Sequence, residues 1–92
     1  STAPLLFGTL CTLRDALERG DSIESTLQQG KNALYDAGFV PDYLELRDAS
    51  LGPVNKTTRQ AVLLAAAKLG PARLIDNLSV QLPSGDAATA GH

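Results

Sequence analysis

Few side chains in this sequence could carry covalent chemistry. Cys11 is the only cysteine and His92 the only histidine, so an intrachain disulfide is impossible and two-cysteine metal or redox motifs are excluded. A thiol nucleophile needs a base to raise its thiolate fraction. His92 ends the segment PSGDAATAGH, which is small, polar and without periodicity and reads as a flexible tail, so it could hardly be held as that base. Cys11 lies between Leu10 and Leu13 in an apolar helical pattern, and packing is the better account of it. A small cysteine-dependent enzyme would lose activity on alkylation of Cys11, whereas a buried core thiol would resist the reagent until unfolding. Carboxylates do not cluster at metal-ligand spacing, and the polar loop around Gly52, Pro53, Asn55 and Lys56 has no glycine-rich phosphate signature. No catalytic, cofactor-binding or metal-ligating residue is therefore assigned.

The remaining polar concentration is LGPARLIDN, residues 69–77, which sets Arg73, Asp76 and Asn77 into the last hydrophobic segment. If this segment is a strand, Leu74, Asp76 and Leu78 share a face, and an unpaired carboxylate between two leucines would be costly to bury. Asp76 then needs a partner from Arg47, Arg59, Arg73 or backbone N–H groups, and a structural role outweighs catalysis. Asp76, Asn77 and Gly70 are accordingly read as structural.

Elements must position these residues. Leu6, Leu10, Leu13 and Leu17 recur at helical spacing with Arg14, Asp15, Glu18 and Arg19 on the other side, an amphipathic helix over about 3–19 closed by Gly20. Asp21 with Glu24 has capping-box spacing, and Ile23, Leu27, Leu34 and Ala37 carry a second helix over about 22–37 to Gly38. The short connection predicts an antiparallel αα-hairpin, with Gly30 allowing close approach to the first helix. PDYLELRDA alternates Leu44 and Leu46 against Tyr43, Glu45 and Arg47, a strand over about 42–48 with Pro41 at its start. AVLLAAAKLG, residues 61–70, suits either a helix or a buried strand, and propensity alone favours helix. Gly70-Pro71 can equally form a two-residue hairpin turn, which would set Ala67 against Leu74, Ala66 against Ile75 and Lys68 against Arg73. That last pair is repulsive unless an acid intervenes.

Composition bounds the answer. The 92 residues are 43% hydrophobic and 20% charged, with a Leu- and Ala-dominated core implied by two Phe, two Tyr and no Trp or Met. A chain of this size buries about 60–65% of its unfolded surface, enough for one core. The net charge is −2 with a pI near 5.1, and the basic residues are scattered, which disfavours nucleic acid and anionic membrane as partners. No stretch approaches a membrane span, and the N-terminus lacks a basic region followed by an apolar one. The lone cysteine, which allows no intrachain disulfide, makes a cytoplasmic location the simplest expectation. The absence of an initiating Met suggests a processed protein or an excised fragment.

Two linked motifs carry a resemblance. PDYLELRDASL, followed after a short loop by VLLAAAKLGPARLIDN, resembles the C-terminal half of the pantothenate synthetase (pantoate–β-alanine ligase) family. There a D-Y-(V/L)-E-(V/L)-R-D-A segment precedes an Ala-rich strand ending L-G, a turn, and a strand similar to T-R-L-I-D-N. Asp42, Tyr43, Glu45, Arg47, Asp48, Arg73, Leu74, Ile75, Asp76 and Asn77 match in type and order. Pro71-Ala72 departs, since the family commonly has Thr before the Arg. The resemblance covers residues 1–80 or so and implies an α+β fold, an N-terminal αα-hairpin packed with a small antiparallel three-stranded sheet. It decides residues 61–69 as a strand and places the last strand at about 72–80.

The resemblance also implies a reaction for the parent enzyme. ATP adenylates pantoate with magnesium assisting, pyrophosphate leaves, and the β-alanine amine attacks the acyl-adenylate to give pantothenate and AMP. The family's nucleotide-binding residues lie mainly on an N-terminal Rossmann-like domain with H-x-G-H-type and M-S-S-R-N-type motifs, and this sequence contains neither. Residues 1–82 are thus expected to be a C-terminal lid domain, inactive alone and holding no cofactor itself, with 83–92 the tail. Its partner would be the N-terminal nucleotide-binding domain, with room for a homodimer in the parent. Tyr43, Arg47 and Arg73 are the candidate inter-domain contacts, each with a plainer account as a solvated strand face or a salt bridge within the sheet. The competing expectation is an independent protein–protein interaction module using the helix pair or an open sheet edge.

Overall fold

The computed structural model describes residues 3–83. Helix α1 spans Ala3–Glu18 and helix α2 Ile23–Asp36, followed by strands β1 (Val40–Asp48), β2 (Gln60–Leu69) and β3 (Ala72–Gln81). The strands form one antiparallel sheet in the order β1-β2-β3. This is the α+β arrangement expected from the resemblance, and its tail beyond Pro83 lies outside the described residues.

Both helices stop in the same way. Gly20 and Gly38 take φ of +96° and +95°, a left-handed conformation open to glycine without steric cost. At the end of α2 the Gly38 N–H donates to Tyr35 O and the Phe39 N–H to Leu34 O, while at the end of α1 the Gly20 N–H donates to Leu17 O and the Asp21 N–H to Ala16 O. These are paired Schellman bonds that satisfy the last carbonyls. The start of α2 differs from the expectation: Ser22, not Asp21, is the N-cap, and its hydroxyl accepts from the Ser25 N–H at 3.2 Å. Asp21 instead pairs with Arg19 at 2.9 Å. With the preceding helix ending in a Schellman turn, Asp21 donates its own N–H back to Ala16 O, and the next residue is left to cap.

The leucine stripe of α1 faces inward as its spacing predicts, with Leu6, Leu10, Leu13 and Leu17 all buried. α1 lies along β3 and α2 along β1, so both helices cover one face of the sheet. They enclose Leu34, Phe39, Leu44, Leu46, Leu63, Ala65, Ala67 and Val80. Gly30 permits this closeness: a Cβ there would come within 2.5 Å of Leu13 Cδ1 and 2.8 Å of Leu44 Cδ2. Residues 60–69 are a strand despite their helical propensity. Ala61, Ala65 and Ala67 lie beneath the helices and the strand pairs on both edges, and tertiary context of that kind overrides a weak local preference. Among the described residues, no helix is long and apolar enough to cross a membrane.

Candidate functional site

Register determines what the uncovered face of the sheet displays. Paired residues share a face, so the rows away from the helices are Arg47–Val62–Ser79, Glu45–Leu64–Asn77 and Tyr43–Ala66–Ile75, ending in Lys68 opposite Arg73. Tyr43, Arg47 and Arg73 therefore lie on one face, the first two on β1 and the third on β3. Ala66 is fully buried although no helix covers it, being flanked across the strands by Tyr43 and Ile75. Ile75 itself is 63% exposed.

The Lys68–Arg73 opposition predicted from the Gly70-Pro71 turn is present, and an acid does intervene. The β1 register shifts between Pro41 and Tyr43, so Asp42 is the extra residue of a bulge. Its Oδ2 accepts from Arg73 Nε at 2.7 Å, and its Oδ1 stands 3.9 Å from Lys68 Nζ. The Arg73 hydrogen bond, with the two nearby cations, holds the Asp42 carboxyl below its ordinary range, and the same bond raises Arg73 above its own. Arg47 pairs within its strand, Nη2 to Glu45 Oε1 at 2.9 Å. Gly70 takes φ +58° in the hairpin turn.

Asp76 lies half-buried on the helix side of β3, between Leu74 and Leu78. Neither Arg47 nor Arg73 serves it. Its Oδ1 accepts from the backbone N–H of Asn77 at 2.8 Å, and Asn77 is exposed on the edge strand.

The β1–β2 connection is ordered by two side chains. Asp48 Oδ1 accepts from the Ser50 hydroxyl at 2.7 Å, the Ser50 N–H at 2.9 Å and the Gly52 N–H at 3.0 Å, bonds that hold its carboxyl below the usual range. Asn55 Oδ1 accepts from the Thr57 N–H at 2.8 Å and the Thr57 hydroxyl at 2.7 Å. An open cleft of about 510 Å³ lies between this loop and the α1–α2 connection, lined in part by Leu17, Asp21, Lys56 and Thr57.

Cys11 is half-buried on α1. Among the described residues no three of His, Cys, Asp and Glu stand together as a metal site would require. Sequence reasoning passed over two residues that matter here. Phe39, 1% exposed, occupies the position after the Schellman glycine where an apolar contact is usual, a signal the sequence carried. Asp42 was only a motif match, because a bulge next to Pro41 has no clear sequence signature.

Two helices on one side of a three-stranded antiparallel sheet, with aromatic, cationic and apolar side chains on the other, define a small α+β domain with one unshielded face. The chain belongs to the pantoate-beta-alanine ligase family, whose model matches residues 1–79. It is 54% identical over 82 residues to pantothenate synthetase of Chromohalobacter salexigens, a match covering 88% of this chain and 29% of that protein. The pantothenate synthetase of Stutzerimonas stutzeri is 49% identical over 84 residues, covering 89% and 29%. The crystal structure of pantothenate synthetase from Thermus thermophilus superposes with a TM-score of 0.70 at 33% identity, over 84% of this chain and 29% of that one. The chain thus spans under a third of the length of these relatives.

Proposed function

We propose that this chain is the lid domain of a pantothenate synthetase and closes over the nucleotide site of an N-terminal domain. In the parent enzyme ATP, with magnesium, would activate pantoate as an acyl-adenylate, and β-alanine would then displace AMP to give pantothenate. The observation that carries the lid reading is the uncovered sheet face, on which Tyr43, Arg47 and Arg73 stand together with Ile75 exposed beside them. A sheet face displaying an aromatic ring, two guanidinium groups and an isoleucine suits a polar, intermittent contact between domains.

The described residues offer no group of acids and imidazoles that fits a metal, so no step through magnesium or ATP is assigned to them. Their contribution is closure. An acyl-adenylate is lost to hydrolysis if water reaches it, and a lid that excludes water protects it while the amine attacks. The domain would act in the cytoplasm, and alone it would be inactive.

Titration of the chain with the candidate N-terminal domain, in pantoate, β-alanine and Mg·ATP, tests this through AMP release. Activity that appears only on mixing, and that falls on substitution of Tyr43, Arg47 or Arg73, is the expected result. Two folded domains that neither associate nor react, with a covalent fusion equally inactive, would overturn the lid reading in favour of an independent interaction module.

A further inference from the structure

The outer edge of β3 carries a feature that the lid reading does not use. A two-residue Gly70-Pro71 turn makes Leu69↔Ala72 the closing hydrogen-bonded pair, and bonding alternates from there along the antiparallel ladder. Residues 72, 74, 76, 78 and 80 then direct their backbone groups to β2, while Arg73, Ile75, Asn77, Ser79 and Gln81 direct theirs outward. Two of those outward N–H groups are occupied by carboxylates. The Asn77 N–H donates to Asp76 Oδ1 at 2.8 Å, and the Gln81 N–H donates to Glu18 Oε2 at 2.8 Å, reaching from the end of α1.

Neither acid is placed where local stability alone would set it. Glu18 sits in the last turn of α1, where the helix dipole disfavours negative charge. Asp76 lies between two leucines on the helix side of an edge strand, and inward-pointing charge is one of the ways natural sheets keep their edges from pairing. The edge needs such protection: β3 is ten residues long, and its own Ile75 is exposed.

We infer that Asp76 and Glu18 close the β3 edge against a second copy of this chain, and that without them two copies pair β3 to β3 as antiparallel strands. Pairing centred on Asn77 would require each copy to release the Asn77 N–H from Asp76 and would bring the two Asp76 carboxylates toward one another. Both costs disappear when the acids are removed. The surface is then an ordinary strand edge with three unoccupied donors extended to five.

The test is the Glu18→Ala/Asp76→Ala double variant of the 92-residue chain, checked for folding by circular dichroism and followed by sedimentation velocity and amide hydrogen exchange over rising concentration. The expected result is a concentration-dependent shift from monomer to dimer, with the Ile75, Asn77 and Ser79 amides becoming protected as it occurs. A Glu24→Ala control removes an acid away from the edge and should stay as the parent chain does. A folded double variant that remains monomeric, or one that associates without protecting those three amides, overturns the inference. Should the double variant not fold, the unaltered chain decides: the Asn77 and Gln81 amides must exchange more slowly than those of Ile75 and Ser79, and equal rates sink the proposal.

Discussion

The two faces of this sheet are held by different physics. Toward the helices, Leu44, Leu46, Leu63, Ala65, Ala67 and Val80 are buried by close packing, a non-directional interaction for which any aliphatic set of similar volume would serve. On the other face, Asp42 joins Arg73 to Lys68 and Glu45 joins Arg47, all partly in water. Solvated ion pairs of this kind add little net stability. Folding therefore explains the chemistry of the first face and leaves that of the second unexplained, which is the physical reason to look for a partner there. Ala66 is the exception, an alanine on the open face that is fully buried beneath its cross-strand neighbours.

Neighbouring residues on the central strand give the sharpest test of that division. Leu63 is 0% exposed among the helices, while Leu64 points the other way and is half-buried. Leu63→Ala is expected to cost about 3 kcal/mol in urea denaturation, through lost burial and the cavity left behind. Leu64→Ala should cost under about 1 kcal/mol. Comparable losses at both positions would break the two-face description. An effect smaller than that at Leu63 is expected at Gly30→Ala. The added Cβ collides with Leu13 and Leu44, both tightly buried, and overpacking of about 1–3 kcal/mol is offset by roughly 1 kcal/mol of helix propensity. A net destabilisation near 1 kcal/mol is the expected outcome, and a stabilised variant would mean that the helix–sheet gap is looser than it stands.

The covered face was the legible one. The 4-3-4 leucine spacing of α1 and the alternation of Leu44 and Leu46 state its burial directly, because period and face are linked by backbone geometry. The Gly70-Pro71 pair offered the register that the sheet adopts, down to Lys68 against Arg73, but suited a helix stop equally well and so did not decide it. Residues 61–69 were not legible from propensity, since an Ala-Leu run packs equally well as either element and only the flanking strands decide. The open face was legible in membership and not in pairing. Tyr43, Arg47 and Arg73 could be named from the motif, but that Asp42 would swing out of the ladder to reach Arg73 depends on a bulge, and that Asp76 would hold the Asn77 N–H and not Arg47 or Arg73 depends on which groups the edge leaves outward.

Two acids now separate the ionic face from the loop that terminates β1. Asp42 and Asp48 both have carboxyl groups lowered below their ordinary range, Asp42 chiefly by the Arg73 hydrogen bond and Asp48 chiefly by the Ser50 hydroxyl and the Gly52 N–H. A depressed folded-state value means that the folded form prefers the ionised acid. Each contribution is therefore fully present above the unfolded value of about pH 4 and is lost as pH falls through the lower folded value. Urea midpoints should accordingly decline on acidification below about pH 4, and Asp42→Asn or Asp48→Asn should each flatten part of that decline.

Salt then tells the two apart. The partners of Asp42 are cations, whose attraction is screened in an exposed setting, so the difference between Asp42→Asn and the parent chain should shrink as sodium chloride is raised. The donors to Asp48 are a neutral hydroxyl and backbone N–H groups, which ionic strength hardly alters, so the Asp48→Asn difference should persist. If both differences vanished together in salt, the loop acid would be responding to charge after all; if neither changed, the Asp42–Arg73–Lys68 group would owe its effect to hydrogen bonding alone, and the open face would lose the electrostatic character that distinguishes it from the rest of the sheet.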